Sequence, residues 1–207
     1  MVYLYALDVT TLVPDLAHYE GVIPQSRLEA LAQRPGKEQL LGLGAELLFQ
    51  RAVSRHLRGH PLPALREADE NGKPRLTGAP DFHFNLSHSG YWAVCAVSDA
   101  PVGVDIQEVR SVNPNLSRKF SAAEQQELMT LPDHKRADRF FQLWVLKEAY
   151  AKCTGLGLLC PFRSFEGVAP GPGYSSTLVD FPVGHHYLAV CVQAEQAPDV
   201  NVIIMPA

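Results

Sequence analysis

The chain has 207 residues, 46% of them hydrophobic and 19% charged, and a formal net charge of −4. That length can bury one substantial core or two small ones. The acidic balance excludes the basic surplus that non-specific nucleic-acid binding requires, and no run approaches the roughly 20 apolar residues of a membrane span.

In chain order, Val2 to Val9 is rich in Tyr, Leu and Val and alternates, which predicts a strand. The N-terminal MVYLYALDVT lacks the basic segment and cleavage site of a secretory signal, so a cytoplasmic protein is expected. From Pro24 to about Leu57, Leu40, Leu43, Leu47 and Leu48 recur at helical spacing, stopped by Gly59 and Pro61. A turn-rich piece centred on Asn71-Gly72-Lys73-Pro74 follows. Phe82 to Leu86 and Tyr91 to Val97 read as two strands joined by Ser87-His88-Ser89-Gly90, and Val102 to Ile106 reads as a buried strand. Helical patterning runs from Ser121 to about Cys153, is broken near Pro132 and ends at Gly155 and Gly157. Strand and turn sequence completes the chain. Cys95, Cys153, Cys160 and Cys191 are far apart, show no C-x-x-C spacing and lie mostly in apolar runs, which predicts buried reduced thiols, with a disulfide or a zinc site as the other readings.

Two segments recur. Ala6-Leu7-Asp8-Val9 resembles Gly103-Val104-Asp105-Ile106, and Gly90 to Val97 resembles His186 to Val192. The predicted fold is therefore α+β with two pseudo-symmetric halves, 1–98 and 99–207, each a small, mainly antiparallel sheet packed on helices.

Three segments carry side chains suited to chemistry. At about 100° per residue, Phe141, Trp144, Val145, Glu148 and Lys152 share one helix face, so Glu148 sits amid apolar neighbours, where a charge is costly unless paired or metal-bound. An i,i+4 salt bridge from Glu148 to Lys152 is the plain alternative. Asp105 and Gln107 lie on one strand face, opposite Val104 and Ile106; two oxygen-bearing side chains joined by a helix carboxylate suit a hard cation such as magnesium, whereas a solvated strand end would carry the same letters. Asn85-Leu86-Ser87-His88-Ser89-Gly90 is rich in donors that could cradle phosphate, or is an ordinary hairpin turn. Ser87 beside His88 lacks the G-x-S-x-G surroundings of a hydrolase nucleophile. Trp144 reads as packing.

Taken together, these segments resemble the Sfp-type 4'-phosphopantetheinyl transferases. The matching signatures, in the family's order, are Asn71-Gly72-Lys73-Pro74, Phe84 to Gly90, Val102 to Ile106, Phe120-Ser121 to Glu124, and Trp144 to Lys152, extended by Gly155-Leu156-Gly157 and Ser164-Phe165. The resemblance implies two similar α+β halves with the active site between them. It implies magnesium-dependent transfer of the 4'-phosphopantetheine arm of coenzyme A to a serine of an acyl or peptidyl carrier protein. By position, Asp105 and Glu148 correspond to metal ligands, and Glu148 also to the acceptor of the serine proton. Lys152 corresponds to a pyrophosphate-binding group, Ser87 and His88 to phosphate contacts, Lys73 and Pro74 to the residues flanking adenine, and Glu124 to a further acid near the metal.

The chain departs from many family members at Gln107, where they carry an acid; its amide is expected to bind the metal through oxygen or to orient a metal-bound water. Arg27, Arg34 and Lys37 are candidates for the 3'-phosphate by location alone, and Arg118, Lys119, Lys135 and Arg136 for docking the carrier. A monomer is expected. Two other readings remain open: a non-catalytic coenzyme A or carrier-protein binding module on the same scaffold, and a magnesium-dependent phosphodiesterase.

Overall fold

Alternating apolar residues and short turns give this chain its strands, and two long apolar-faced segments give its main helices. The structure is a computed structural model and describes residues 1–112, 114–167 and 170–206. In chain order the elements are β1 (Val2–Asp8), α1 (Gln25–Ala32), α2 (Gly36–His56), β2 (Arg66–Ala68), β3 (Pro74–Leu76), β4 (His83–Ser89), β5 (Trp92–Ser98), β6 (Val102–Glu108), α3 (Ala122–Thr130), α4 (Asp133–Thr154), β7 (Ser175–Val179), β8 (His186–Val192) and β9 (Val200–Ile204). The architecture is α+β, with small sheets packed on helices.

The chain divides into two units, 1–99 with 200–207, and 100–199. In the first, the sheet order is β4-β5-β1-β9, with β9 parallel to β1 and the other pairings antiparallel. Dividing the sequence at 98/99 keeps residues 200–204 with the second half, whereas here they hydrogen-bond along β1. Helix α2 lays Leu41, Ala45, Leu48, Phe49 and Ala52 on Tyr5, Leu7, Ala93 and Cys95, all buried. The single helix expected from Pro24 to Leu57 is two helices. Pro35 forces extended backbone before α2, where φ is −78° and ψ 136°, because its ring removes a donor and clashes with a continuing helix.

In the second unit the sheet order is β6-β8-β7, antiparallel throughout, and α4 lies along β6 and β8. Val145, Leu146, Ala149 and Cys153 pack on Ala189 and Cys191. A second cluster joins Phe120, Leu128, Phe140, Phe141 and Leu143, with Trp144 stacked on Phe140 at 5.7 Å. Pro132 starts α4, and Gly155 ends it in the left-handed conformation at φ 75°, which glycine adopts without penalty.

Each unit thus repeats one order: an opening strand, a helix laid across it, and a later hairpin whose second strand pairs with the opening one. β1 pairs with β5 as β6 pairs with β8, and both opening strands carry an aspartate, Asp8 opposite Trp92 and Asp105 opposite Ala189. The four cysteines are buried thiols in no disulfide, and burial pushes the Cys95 thiol up to about 12 and that of Cys160 to about 11, which keeps those two protonated and unreactive. Among the described residues no helix is long and apolar enough to cross a membrane.

Candidate functional site

In the second unit, strand alternation turns Gly103, Asp105 and Gln107 to the same side of β6. Gly103 is what lets α4 come close on that side: a Cβ there would lie 2.0 Å from the Ala149 carbonyl oxygen and 2.3 Å from the Cys153 nitrogen. Two residues further on, Lys152 Nζ donates to Asp105 Oδ1 at 2.7 Å and to the Val104 carbonyl at 3.1 Å. The Asp105 side chain is 3% exposed and that of Lys152 28%, so the carboxylate is buried and the ammonium partly so. Gln107 Nε2 donates to Asp105 Oδ2 at 3.2 Å, fixing the amide beside the carboxylate.

Glu148 stands one turn before Lys152 on α4, half-buried, and no described residue donates a hydrogen bond to its carboxylate. Burial raises its pKa above the usual carboxylate range and the charge of Asp105 adds to this, while Lys152 and Lys119 oppose it. The site therefore holds two carboxylates in a poorly solvated place with one ammonium between elements. Among the described residues no group of three or more His, Cys, Asp or Glu side chains is placed to hold a metal ion. The hard oxygen donors gathered here are the two carboxylates, while the Gln107 amide presents its nitrogen to one of them. Their mutual repulsion is what a divalent cation would relieve, so the donor set fits magnesium.

Because α4 rests on Gly103, Gly103→Ala is expected to push the helix off β6. The overlap is with backbone, which cannot swing aside as a side chain could, so urea denaturation should show a loss of about 3 kcal/mol. A midpoint equal to the parent's would refute this account of the helix–strand contact.

Glu124, the further acid matched in sequence, has both oxygens engaged by protein donors. Oε2 accepts from the Ser121 nitrogen at 2.9 Å in a capping box and pairs with Lys147 Nζ at 2.9 Å; Oε1 accepts from the Gly167 nitrogen at 2.9 Å. Lys147, which the sequence reading did not single out, is fully buried and donates also to the carbonyls of Phe162 at 2.7 Å and Phe165 at 2.6 Å. Its three protons all find acceptors, as a buried ammonium requires. Burial lowers its pKa and Glu124 opposes that. A signal was present: Leu143, Trp144, Tyr150 and Ala151, at i±3 and i±4, are all apolar.

In the first unit, Lys73 and Pro74 leave a turn organised by Asp69. Its Oδ1 accepts from the nitrogens of Asn71 at 3.0 Å and Lys73 at 2.9 Å, with Gly72 at φ 84°. Lys73 is 7% exposed and Pro74 opens β3. Ser87 and His88 lie within β4 rather than in a turn, because the hairpin closes more tightly, at Gly90-Tyr91, with Ser89 opposite Trp92. As consecutive strand residues they face opposite sides, Ser87 buried and His88 exposed. Arg27 is engaged by buried Glu46, at 2.6 Å, which Arg66 also contacts, and Lys37 lies over the Tyr91 ring at 4.1 Å. Lys119 sits 5.6 Å from the Trp144 ring and Arg136 pairs with Asp133 at 2.8 Å.

A sequence model of the 4'-phosphopantetheinyl transferase superfamily matches residues 101–193, the segment that carries Asp105, Glu148 and Lys152. The 4'-phosphopantetheinyl transferase psf-1 of Bacillus pumilus is 47% identical over 100 residues, 48% of this chain and 43% of that protein. A 4'-phosphopantetheinyl transferase of Bacillus subtilis is 33% identical over 141 residues, 68% of this chain and 62% of that protein. The 4'-phosphopantetheinyl transferase Sfp of Bacillus subtilis strain 168 is 33% identical over 122 residues, 58% and 54% of the two chains. The chain spans about half the length of the curated relatives it matches. Asp105, Glu148 and Lys152, on β6 and α4, lie within the segment that the family model matches, and with these relatives beside that match the chain belongs to the 4'-phosphopantetheinyl transferase superfamily, among the Sfp-type proteins.

Proposed function

We propose that this protein transfers the 4'-phosphopantetheine arm of coenzyme A to a serine hydroxyl of an acyl or peptidyl carrier protein, such as those of fatty acid, polyketide or nonribosomal peptide synthesis. Adenosine 3',5'-bisphosphate is released. The observation that carries the reading is the grouping of Asp105, Lys152 and Glu148 on the β6–α4 face. We place the reaction in the cytoplasm, catalysed by a monomer.

In this reading the serine oxygen bonds to the phosphorus that bears the pantetheine, and the pyrophosphate bond to the nucleotide breaks. Glu148 accepts the serine proton: its raised proton affinity suits a base working near neutrality. Lys152 supplies a fixed positive charge beside the carboxylates, offsetting charge on the leaving phosphate. Asp105 holds Lys152 in place and, with Glu148 and Gln107, would hold magnesium. Bound there, the ion would neutralise negative charge on the pyrophosphate oxygens. Gln107 enters through its oxygen if its amide turns by half a rotation, or by orienting a metal-bound water. In the first unit, Ser87 and His88 are assigned to the phosphates of coenzyme A and Lys73 with Pro74 to its adenine.

Incubating the protein with coenzyme A, magnesium and an apo carrier should raise the carrier's mass by that of the phosphopantetheine arm. Coenzyme A binding without a mass change would instead leave a non-catalytic binding module, and hydrolysis of a phosphodiester without it would leave a nuclease-like enzyme.

The metal assignment makes its own prediction. Gln107→Glu adds a charged oxygen ligand at the same length, so the magnesium concentration for half-maximal activity should fall by about threefold or more, while Gln107→Ala should raise it. Titrations of both variants that overlay the parent's would remove Gln107 from the metal shell.

A further inference from the structure

The first unit holds a cleft of about 830 Å³ that shares no residue with the proposed site. It lies between the segment 11–22, the Leu47–Ser54 stretch of α2 and the returning chain at Met205. Its walls are apolar, formed by Leu12, Val13, Val22, Leu47, Leu62 and Met205. Val13, Val22 and Leu62 are 45%, 49% and 53% exposed, so three of the large apolar side chains this protein leaves in water ring one concavity. The size falls within the few-hundred to about 1,000 Å³ of small-molecule sites.

Some polar groups on the walls already have partners. The Tyr19 hydroxyl donates to the Val13 carbonyl at 3.1 Å, the Thr11 hydroxyl to the Asp8 carbonyl at 2.6 Å, and the Gln50 amide both donates to and accepts from the Ala64 backbone. Three do not. The His18 imidazole, set edge-on to the Tyr19 ring, the Arg51 guanidinium and the Ser54 hydroxyl make no side-chain hydrogen bond or ion pair with a described residue; Arg51 and Ser54, three residues apart on α2, are neighbours on one face. No Asp or Glu lines the cleft, although the chain carries a net charge of −4.

We propose that this cleft binds an aliphatic monocarboxylate, an unbranched acid of medium length. The alkyl chain lies against Leu47, Val22 and Met205, and the carboxylate is held by Arg51 and Ser54. A single guanidinium matches one negative charge, and its fork matches the two oxygens of a carboxylate; a phosphate dianion would leave charge uncompensated. The apolar walls select the chain, the arginine the head group. Nothing in this depends on the transferase reading.

The test is calorimetric titration of the full chain with sodium decanoate below its micelle concentration, against decan-1-ol as the uncharged analogue. Decanoate should bind one saturable site, at least about tenfold more tightly than the alcohol, from the charge-assisted contact. Arg51→Gln should bring decanoate down to the level of the alcohol and leave the alcohol unchanged. Ser54→Trp and Val22→Trp, which fill the cleft from α2 and from the 11–22 segment at exposed positions, should each abolish both, with the circular dichroism spectrum and melting temperature unchanged. Absence of saturable binding to the folded protein, equal affinity for acid and alcohol, or undiminished binding to both tryptophan variants would overturn the proposal.

Discussion

Glu148→Gln is expected to leave the protein folded while cutting carrier modification by about a thousandfold, since the loss of a general base alone costs about 100- to 10,000-fold and a ligand charge is lost with it. The substitution keeps length and helix propensity, and no described residue loses a hydrogen bond to the carboxylate. Stability gives an independent signature. A carboxyl whose pKa is raised on folding binds protons more tightly in the folded state, so it costs stability once pH exceeds its unfolded value. The amide removes that cost. In the absence of divalent ions at neutral pH, the variant should therefore melt at the parent's temperature or above it. Near-normal turnover in a protein with a full melting transition would refute the role of Glu148; lost turnover with a lowered melting temperature would mean that Glu148 serves the fold instead.

Lys147→Met is expected to be the most destabilising of these substitutions, by about 3–5 kcal/mol, the usual result of removing one partner from a buried ion pair. The ammonium is enclosed by Glu124 and the carbonyls of Phe162 and Phe165, with the Phe165 ring 4.3 Å away. Methionine fills the space but leaves a buried carboxylate without its cation and two carbonyls without their donor. Adding Glu124→Gln should recover only part of the loss, because it removes the stranded charge but weakens the contacts to Ser121 and Gly167. Urea denaturation of the single and double variants measures both; a loss below about 1 kcal/mol for Lys147→Met would show that the pair is energetically neutral, as some buried pairs are.

What the sequence makes legible here is periodic or punctuated. The end of α4 at Gly155, its start at Pro132, and the shared side of Asp105 and Gln107 follow from rules that act within a few residues. The break at Pro35 obeys the same rules and is hidden only because the apolar spacing continues on both sides of it. The hairpin of Ser87 to Ser89 is longer than composition suggests, since polar residues extend a strand when their partners across the ladder are apolar, as Val94 and Ala93 are for Ser87 and His88. Lys147 and Glu124 are a different case. Their partnership joins a helix interior to a helix N-terminus, to the loop carbonyls of Phe162 and Phe165, and to the Gly167 amide, 43 residues from Glu124, and no local rule pairs them. The chemistry of Lys152 is likewise set by a strand 47 residues earlier rather than by its neighbour Glu148.

The placement of β9 bears on how this chain comes to be folded. Because the first unit takes its parallel edge strand from residues 200–204, it is interrupted in sequence by the entire second unit. During synthesis the open side of β1, from Val2 to Ala6, stays exposed until residues 200–204 have been made. That side is a row of unpaired amides and carbonyls, the template on which another nascent chain can add a strand. The second unit, continuous from 100 to 199, carries no such debt and can complete itself while the first still waits. Pairing of β1 with β9 closes a loop of nearly two hundred residues, so slow and concentration-sensitive refolding is expected at that step, in the half whose stability the β6–α4 site does not report.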